Sequence, residues 1–276
     1  MAKNLNFFKN KIKEAWPGQD DISTEFIFYL KEKLYLSDVS IYVDNYLLSK
    51  DEEDSINKFI HLKKEGVPID YILEKSSFFG NNFYVDSRVL IPRPETELLV
   101  DFINKLNLQS SKIVIDAGTG SGCIGISLAI QNPNIKVYGL DFSKEALVVA
   151  NKNKKSLKVE NFVTVHSNWL SKIKNASCDL IVSNPPYISS KDEHLQDLTH
   201  EPLVALTALN NGLADFETIS SQATLKLVRG GMLAFEHGFN QKSQVSKIMK
   251  KNGFKNIETL KDHQGHPRVT VGILGN

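Results

Sequence analysis

From Lys112 to Lys251 the chain alternates short apolar runs with amphipathic stretches, and this rhythm limits what it can fold into. Ile113-Val114-Ile115 reads as a strand, Gly122 to Gln131 as a helix, Ile135 to Leu140 as a strand and Ser143 to Lys155 as a helix. Phe162 to Val165 and Leu180 to Ser183 are further strands. Thr218 to Val228 reads as a helix, Met232 to Phe235 as a strand and Gln241 to Lys251 as a helix. Strands joined through helices run parallel, with helices covering both faces of the sheet. The expected architecture is therefore α/β, a doubly wound and mostly parallel sheet. The tail differs, because Ile257 to Leu260 and Val269 to Leu274 are separated only by Asp262-His263-Gln264-Gly265-His266-Pro267. With no helix between them, these two runs predict an antiparallel hairpin that closes the sheet.

The region before this sheet has a different period. Leu5, Phe8, Ile12 and Trp16 recur at helical spacing, as do Phe26, Tyr29, Leu30 and Leu34. Asp51-Glu52-Glu53-Asp54 precedes Ile56, Phe59, Ile60 and Leu62-Lys63-Lys64, so acid comes first and base last, as a helix dipole favours. Gly66-Val67-Pro68 ends that helix. Residues 1–75 are thus expected to form a small all-α domain. Residues 76–92 read as a β-hairpin linker, with Gly80-Asn81-Asn82 in the middle of Phe78 to Leu90. Ile91-Pro92-Arg93-Pro94-Glu95-Thr96-Glu97 is a stiff connector leading into a helix from about Glu95 to Leu106, and residues 93–276 make the α/β domain.

A chain of 276 residues is long enough for two such cores. Its net charge of +1 gives no global field to draw it to nucleic acid or an anionic membrane. The two cysteines, Cys123 and Cys178, offer neither metal spacing nor a disulfide framework, which fits a reducing cytoplasm. Met1 to Trp16 mixes Lys, Glu and Asn into its apolar residues, so no signal peptide is expected, and no apolar run reaches membrane-spanning length. The expectation is a cytoplasmic monomer with no bound metal.

Three constellations carry chemistry. After the first α/β strand comes Asp116-Ala117-Gly118-Thr119-Gly120-Ser121-Gly122, whose glycines permit a tight turn and close approach of a ligand to a helix N-terminus. Gly120 to Gly125 also matches the Gly-x-Gly-x-x-Gly fingerprint. Roughly 20 residues on, Asp141 ends the next strand, where a carboxylate can accept both ribose hydroxyl protons. Its alternative role is to cap the following helix, which Ser143 could do instead. A nicotinamide cofactor and S-adenosylmethionine both carry a ribose, so these features leave the two open.

Asn184-Pro185-Pro186-Tyr187, after the strand Leu180 to Ser183, chooses between them. Asn184 offers a side-chain carbonyl, and Pro185 offers a C=O held in an extended conformation by Pro186. Tyr187 adds an aromatic face. Two fixed acceptors beside an aromatic ring suit a planar –NH2 group whose nitrogen is to react. Hydride transfer has no use for that grip, whereas methyl transfer to an amide or exocyclic amine does. An amide nitrogen is a poor nucleophile, so the main contribution needed from the protein is orientation, worth up to ~7–11 kcal/mol for well-aligned groups.

The supporting residues are less distinctive. Trp169 follows the third strand, where an adenine ring would lie or a core tryptophan would pack. Arg93, Glu95 and Glu97 could reach over the cofactor or form a salt bridge between domains. Glu201-Pro202 could line the substrate entrance. Glu236-His237 ends a strand near the site without a catalytic assignment. His194, His200, His237, His263 and His266 lack ligand spacing, and Lys152, Lys154, Lys155 and Lys158 read as a solvated helix face.

With these residues in view, the chain resembles the bacterial peptide chain release factor N5-glutamine methyltransferases. The resemblance rests on Phe78-Phe79-Gly80, Ile91 to Glu97, Asp116 to Gly122, Asp141, Trp169, Asn184 to Tyr187, Glu201-Pro202 and Glu236-His237-Gly238. Asn-Pro-Pro-Tyr alone is shared with amino-methyltransferases of DNA, ribosomal RNA and other proteins. The Pro-Arg-Pro-Glu-Thr-Glu segment is narrower and tilts the resemblance to release factors. It implies a class I S-adenosylmethionine-dependent fold and, as substrate, the glutamine of a Gly-Gly-Gln loop on release factors. It also implies that Gly118, Thr119, Gly120, Ser121 and Gly122 hold the methionine part of the cofactor, Asp141 its ribose and Trp169 its adenine side. Asn184 would meet both cofactor and substrate amide, and Pro185, Pro186 and Tyr187 would complete the substrate pocket. A ribosomal-protein glutamine methyltransferase, an amino-methyltransferase of a nucleic-acid base and a catalytically silent binding module are the competing readings. The near-neutral charge speaks against the nucleic-acid one.

Overall fold

The computed structural model describes residues 3–42, 46–106, 108 and 112–275, without the side chains at 194 and 197. Met1 and Ala2 of the N-terminal stretch and the side chain of His194 therefore lie outside the described residues. The chain divides into two compact units, residues 1–75 and 76–276.

The first unit is helical: α1 (Leu5–Ala15), α2 (Asp20–Leu34), α3 (Asp38–Tyr42), α4 (Lys50–Lys64) and α5 (Ile69–Leu73). Its apolar stripes meet in one core around Phe8, Phe26, Leu30 and Phe59, all essentially inaccessible to solvent. The Tyr29 and Phe26 rings lie 4.6 and 5.5 Å from that of Phe59. The acid-first pattern of α4 has a local cause. Ser49 and Glu52 form a reciprocal capping box that satisfies two N-terminal N–H groups.

The second unit opens with a small hairpin, β1 (Ser76–Phe78) and β2 (Asn81–Phe83). Its turn is Phe79-Gly80, with φ of 47° and 74°, rather than the expected Gly80-Asn81-Asn82. Two successive left-handed residues match the twist of a two-residue hairpin turn, which lets Asn81 pair directly with Phe78. Residues 84–90 form no strand, so the hairpin is much shorter than expected. A 3-10 turn over Pro94–Thr96 leads into α6 (Glu97–Lys105).

Then follow β3 (Ile113–Ala117), α7 (Cys123–Gln131), β4 (Lys136–Asp141), α8 (Lys144–Ser156), β5 (Phe162–His166) and β6 (Cys178–Ser183). The segment after β6, not anticipated from periodicity, holds β7 (Ile188–Ser189), a 3-10 stretch, α9 (Leu203–Leu206), β8 (Thr207–Ala208) and α10 (Leu209–Gly212). The chain ends with α11 (Ala214–Lys226), β9 (Leu227–Glu236), α12 (Lys242–Lys251), β10 (Phe254–Lys261) and β11 (Pro267–Leu274).

The main sheet runs β10-β11-β9-β6-β3-β4-β5. β9, β6, β3, β4 and β5 are mutually parallel, while β11 pairs antiparallel with both β9 and β10. The doubly wound sheet and its closing hairpin follow the sequence expectation. Two apolar layers cover its faces, one around Phe162, Ile126 and Val182 and the other around Phe216, Phe235 and Ile181. The chain steps from β3 outward to β5 and returns to β6 on the other side of β3. Adjacent loops therefore diverge at the C-terminal ends of β3 and β6, the position where open α/β sheets bind ligands.

Candidate active site

Buried polar contacts tie down the loop after β3. Asp116 Oδ2 accepts from Thr119 Oγ1 (2.6 Å) and from the Gly125 N–H (2.9 Å). The N–H groups of Gly118 and Thr119 both donate to the Leu140 carbonyl of the neighbouring strand, each at 2.8 Å. Burial pushes the Asp116 carboxyl up to about 6. At Gly118 (φ 78°) an added Cβ would lie 3.2 Å from the Trp169 ring, whereas at Gly120 (φ 53°) it would meet only open space. The first glycine lets the aromatic ring close in, and the second leaves room for a ligand.

Asp141 Oδ2 accepts from the Gly120 N–H at 2.9 Å, and Oδ1 from the Ser143 N–H at 2.8 Å. Each oxygen keeps lone-pair capacity for a further donor. Ser143 itself caps α8 by accepting from the Ala146 N–H. Burial raises the Asp141 pKa, and hydrogen bonds from Ser143, Gly120 and Phe142 oppose that rise. Trp169 is held in the left-handed region at φ 47°, an unusual backbone for an aromatic residue and one that aims its ring at Gly118.

Facing this loop is the end of β6. Ser183 Oγ donates to the Ala117 carbonyl at 2.6 Å, binding the two strand ends together. Asn184 follows at once, and its Nδ2 donates to Thr96 Oγ1 at 3.2 Å. With Nδ2 so committed, Oδ1 is the acceptor left for a ligand. No backbone N–H among the described residues donates to the Pro185 carbonyl. Burial pushes the Tyr187 phenol up to about 12, so it stays neutral, and its backbone carbonyl accepts from Gln241 Nε2 at 3.0 Å.

A cavity of about 460 Å³ joins the two sides. Gly118, Gly120, Asp141, Trp169, Asn184 and Pro186 all line it. Thr119, Ser121, Gly122, Pro185 and Tyr187 do not. Thr119 instead braces Asp116, and Gly122 is the N-cap of α7 at φ 84°. The Ser121 carbonyl accepts from Asn153 Nδ2 at 2.8 Å; the same side chain bonds both the N–H and C=O of Tyr84. Spacing gave no signal for Asn153, because its partners lie 32 and 69 residues away.

The connector behaves differently from expectation. Glu201 is 5% exposed and accepts from the Ile91 N–H (3.1 Å) and from the Arg93 guanidinium. It therefore braces the connector rather than the substrate entrance, while Pro202 does line the cavity. Glu97 accepts from the Phe79 N–H at 2.8 Å. Arg93, Glu95 and Glu97 are not among the cavity-lining residues. His237 is buried, with its ring bonded to the Gly238 carbonyl and Thr270 Oγ1, a packing role. Thr96 and Glu236, which sequence reading left without a role, stand directly behind Asn184.

The donor set fits S-adenosylmethionine. A carboxylate with spare acceptor capacity suits a ribose, an aromatic ring beside the glycine turn suits an adenine, and open space at Gly120 admits the ligand. Among the described residues no cluster of His, Cys, Asp or Glu could hold a metal ion, and no helix is long and apolar enough to cross a membrane.

Known proteins are similar to this chain. Residues 94–212 match the family model described as methyltransferase small domain. A release factor glutamine methyltransferase from Buchnera aphidicola of Acyrthosiphon pisum is 37% identical over 251 residues, covering 88% of this chain and 90% of the relative. Its namesake in Coxiella burnetii is 36% identical, covering 83% of each chain. The one from Buchnera aphidicola of Schizaphis graminum is 35% identical and covers 98% of each. Among solved structures, a methyltransferase from Pyrococcus furiosus superposes with a TM-score of 0.55 at 17% identity, covering 83% of this chain and all (100%) of that one. A Thermus thermophilus 16S rRNA N2 G1207 methyltransferase, solved with S-adenosylmethionine and guanosine, gives 0.53 at 16% identity, covering 72% of this chain and 49% of that one. These two likenesses concern the fold.

Proposed function

The chain belongs to the release factor glutamine methyltransferase family, and from that premise we infer that it methylates the side-chain amide nitrogen of a glutamine in peptide chain release factors. Its methyl donor is S-adenosylmethionine, which when bound supplies an activated methyl group on a sulfonium. The acceptor is the glutamine of a Gly-Gly-Gln loop. One observation carries the reading: the glycine turn with Asp141 and the fixed amide of Asn184 open into the same cavity from opposite sides of the switch point.

Each residue then has a task. Gly118 and Gly120 leave backbone space for the methionine part, Asp141 accepts from the ribose hydroxyls, and Trp169 flanks the adenine. Thr119, Ser121 and Gly122 hold the turn in shape. Asn184 Oδ1 and the Pro185 carbonyl accept the two N–H groups of the substrate amide, which leaves its nitrogen lone pair free. Those bonds strengthen as positive charge develops on that nitrogen, so they favour the transition state over the ground state. Pro186 completes the wall, and Tyr187, held through its carbonyl by Gln241, backs the loop. The amide proton leaves after transfer, to water.

The small helical unit, residues 1–75, docks the body of the release factor, and the enzyme works as a cytoplasmic monomer on protein rather than nucleic acid. The net charge of +1 supports a protein substrate, since phosphate backbones demand a basic surface. The test offers labelled cofactor with purified release factor, ribosomal protein and nucleic acid in parallel. Label entering the release factor is the expected result, and label entering only one of the other two overturns the substrate assignment.

A further inference from the structure

Behind the Asn184 loop lies a buried carboxyl that the mechanism above does not use. Glu236, at the end of β9, is 2% exposed, and its Oε2 has no hydrogen-bond partner among the described residues. Thr96 and Asn184 both stand beside this carboxyl and favour its ionised form, and Asn184 Nδ2 donates to Thr96 Oγ1. Three elements distant in sequence thus converge on one side-chain amide: the connector, the loop after β6 and the end of β9.

The hydrogen-bond logic of this trio has one consistent solution. An ionised carboxylate only accepts, so the hydroxyl of the neighbouring Thr96 turns its proton toward Glu236. Its lone pairs then face Asn184, which must answer with Nδ2 rather than Oδ1. The amide of Asn184 is therefore locked in one of its two flips, with Oδ1 left for the substrate. We propose that Glu236, relayed by Thr96, is the positioning residue that fixes the Asn184 amide in its acceptor-presenting flip and so makes the substrate nitrogen reactive. This rests on the glutamine-amide reading above, and gives that reading a switch: a neutral acid at Glu236 can donate, which frees the Thr96 hydroxyl to rotate and the amide to flip.

The surroundings place that switch in an accessible range. Burial pushes the Glu236 pKa up to about 7; the neighbouring Thr96 and Asn184 and the charge of Arg268 on β11 oppose the rise, and Glu95 on the connector adds to it. Tyr187 and Cys123 are close enough to feel its charge and stay neutral, each pushed up to about 12, chiefly by burial. The ionised, positioning form is present above about 7 and is lost as pH falls through that value. Transfer should decline on the acid side with it.

The experiment measures methyl transfer to release factor across pH 5.5–9 for the wild type, Glu236→Gln, Thr96→Val and Thr96→Ser. The glutamine side chain keeps the size but can donate to the amide it should hold. The expected result is a kcat drop of about 10–100-fold, typical of residues that orient a contacting group, with cofactor affinity within about 3-fold of wild type. The acid limb near 7 disappears in Glu236→Gln. Thr96→Ser, which keeps the hydroxyl, recovers most of the rate lost in Thr96→Val. A Glu236→Gln enzyme with wild-type kcat and an unchanged acid limb overturns the proposal. If that variant fails to fold, Thr96→Val at wild-type rate overturns it equally. Should the wild type methylate a different acceptor, the reading of the substrate fails, yet the same comparison run on that acceptor still decides the role of Glu236.

Discussion

The two sides of the cavity are built in different ways. The cofactor side is local: Asp116 accepts from Thr119 and Gly125 within one strand–turn–helix, and Asp141 joins from the adjacent strand by accepting from Gly120. The acceptor side is assembled from afar. Asn184 is fixed by Thr96, 88 residues away, and the connector bearing Thr96 is braced by Glu201, 110 residues from Ile91. A local turn can form whenever its strand and helix form, whereas the acceptor grip needs the completed sheet. Binding of the donor and reactivity of the acceptor are therefore separable by mutation.

The largest expected separation comes from Asn184→Ala. It removes an acceptor that acts on developing charge, so kcat should fall by about 10²–10³-fold with the fold intact. Rapid-quench turnover with a matching circular dichroism melt checks both halves, and unchanged turnover would break the comparison. Asp141→Ala is its mirror image. Loss of hydrogen bonds to a charged group should weaken cofactor binding by about 10–100-fold while saturating cofactor restores most of kcat. Calorimetry reads the affinity directly. Smaller is Glu201→Gln, which disturbs only the brace. One neutral oxygen replaces a carboxylate serving both Arg93 and Ile91, costing about 1–3 kcal/mol of stability in the second unit. Turnover should fall by less than about 10-fold, since Thr96 shifts without being lost.

The same contrast explains what the sequence made legible. Glycines packed between a strand and a helix, with an acid one strand later, leave a signature within about 25 residues. Asn184 to Tyr187 was equally plain, because prolines after an asparagine restrict the backbone before any tertiary contact exists. The supports were not legible. Glu201 looked like a residue at the mouth of a pocket; only the folded chain shows Ile91 and Arg93 claiming its oxygens. Asn153 sits mid-helix in α8 with nothing local to mark it, yet it ties Ser121 to Tyr84. The hairpin was anticipated with the wrong centre, since asparagine tolerates left-handed backbone and Asn81-Asn82 attracted the turn that Phe79-Gly80 in fact makes. The short elements between residues 188 and 213 are too brief for any hydrophobic period to register.

The central claim is that the cavity delivers a methyl group to a glutamine side-chain nitrogen. Tandem mass spectrometry of release factor after a single-turnover reaction tests it most directly. The account predicts one added methyl, mapped to the glutamine of the Gly-Gly-Gln loop and released as methylamine on acid hydrolysis. A methyl mapped to any other side chain, or to none, would contradict it.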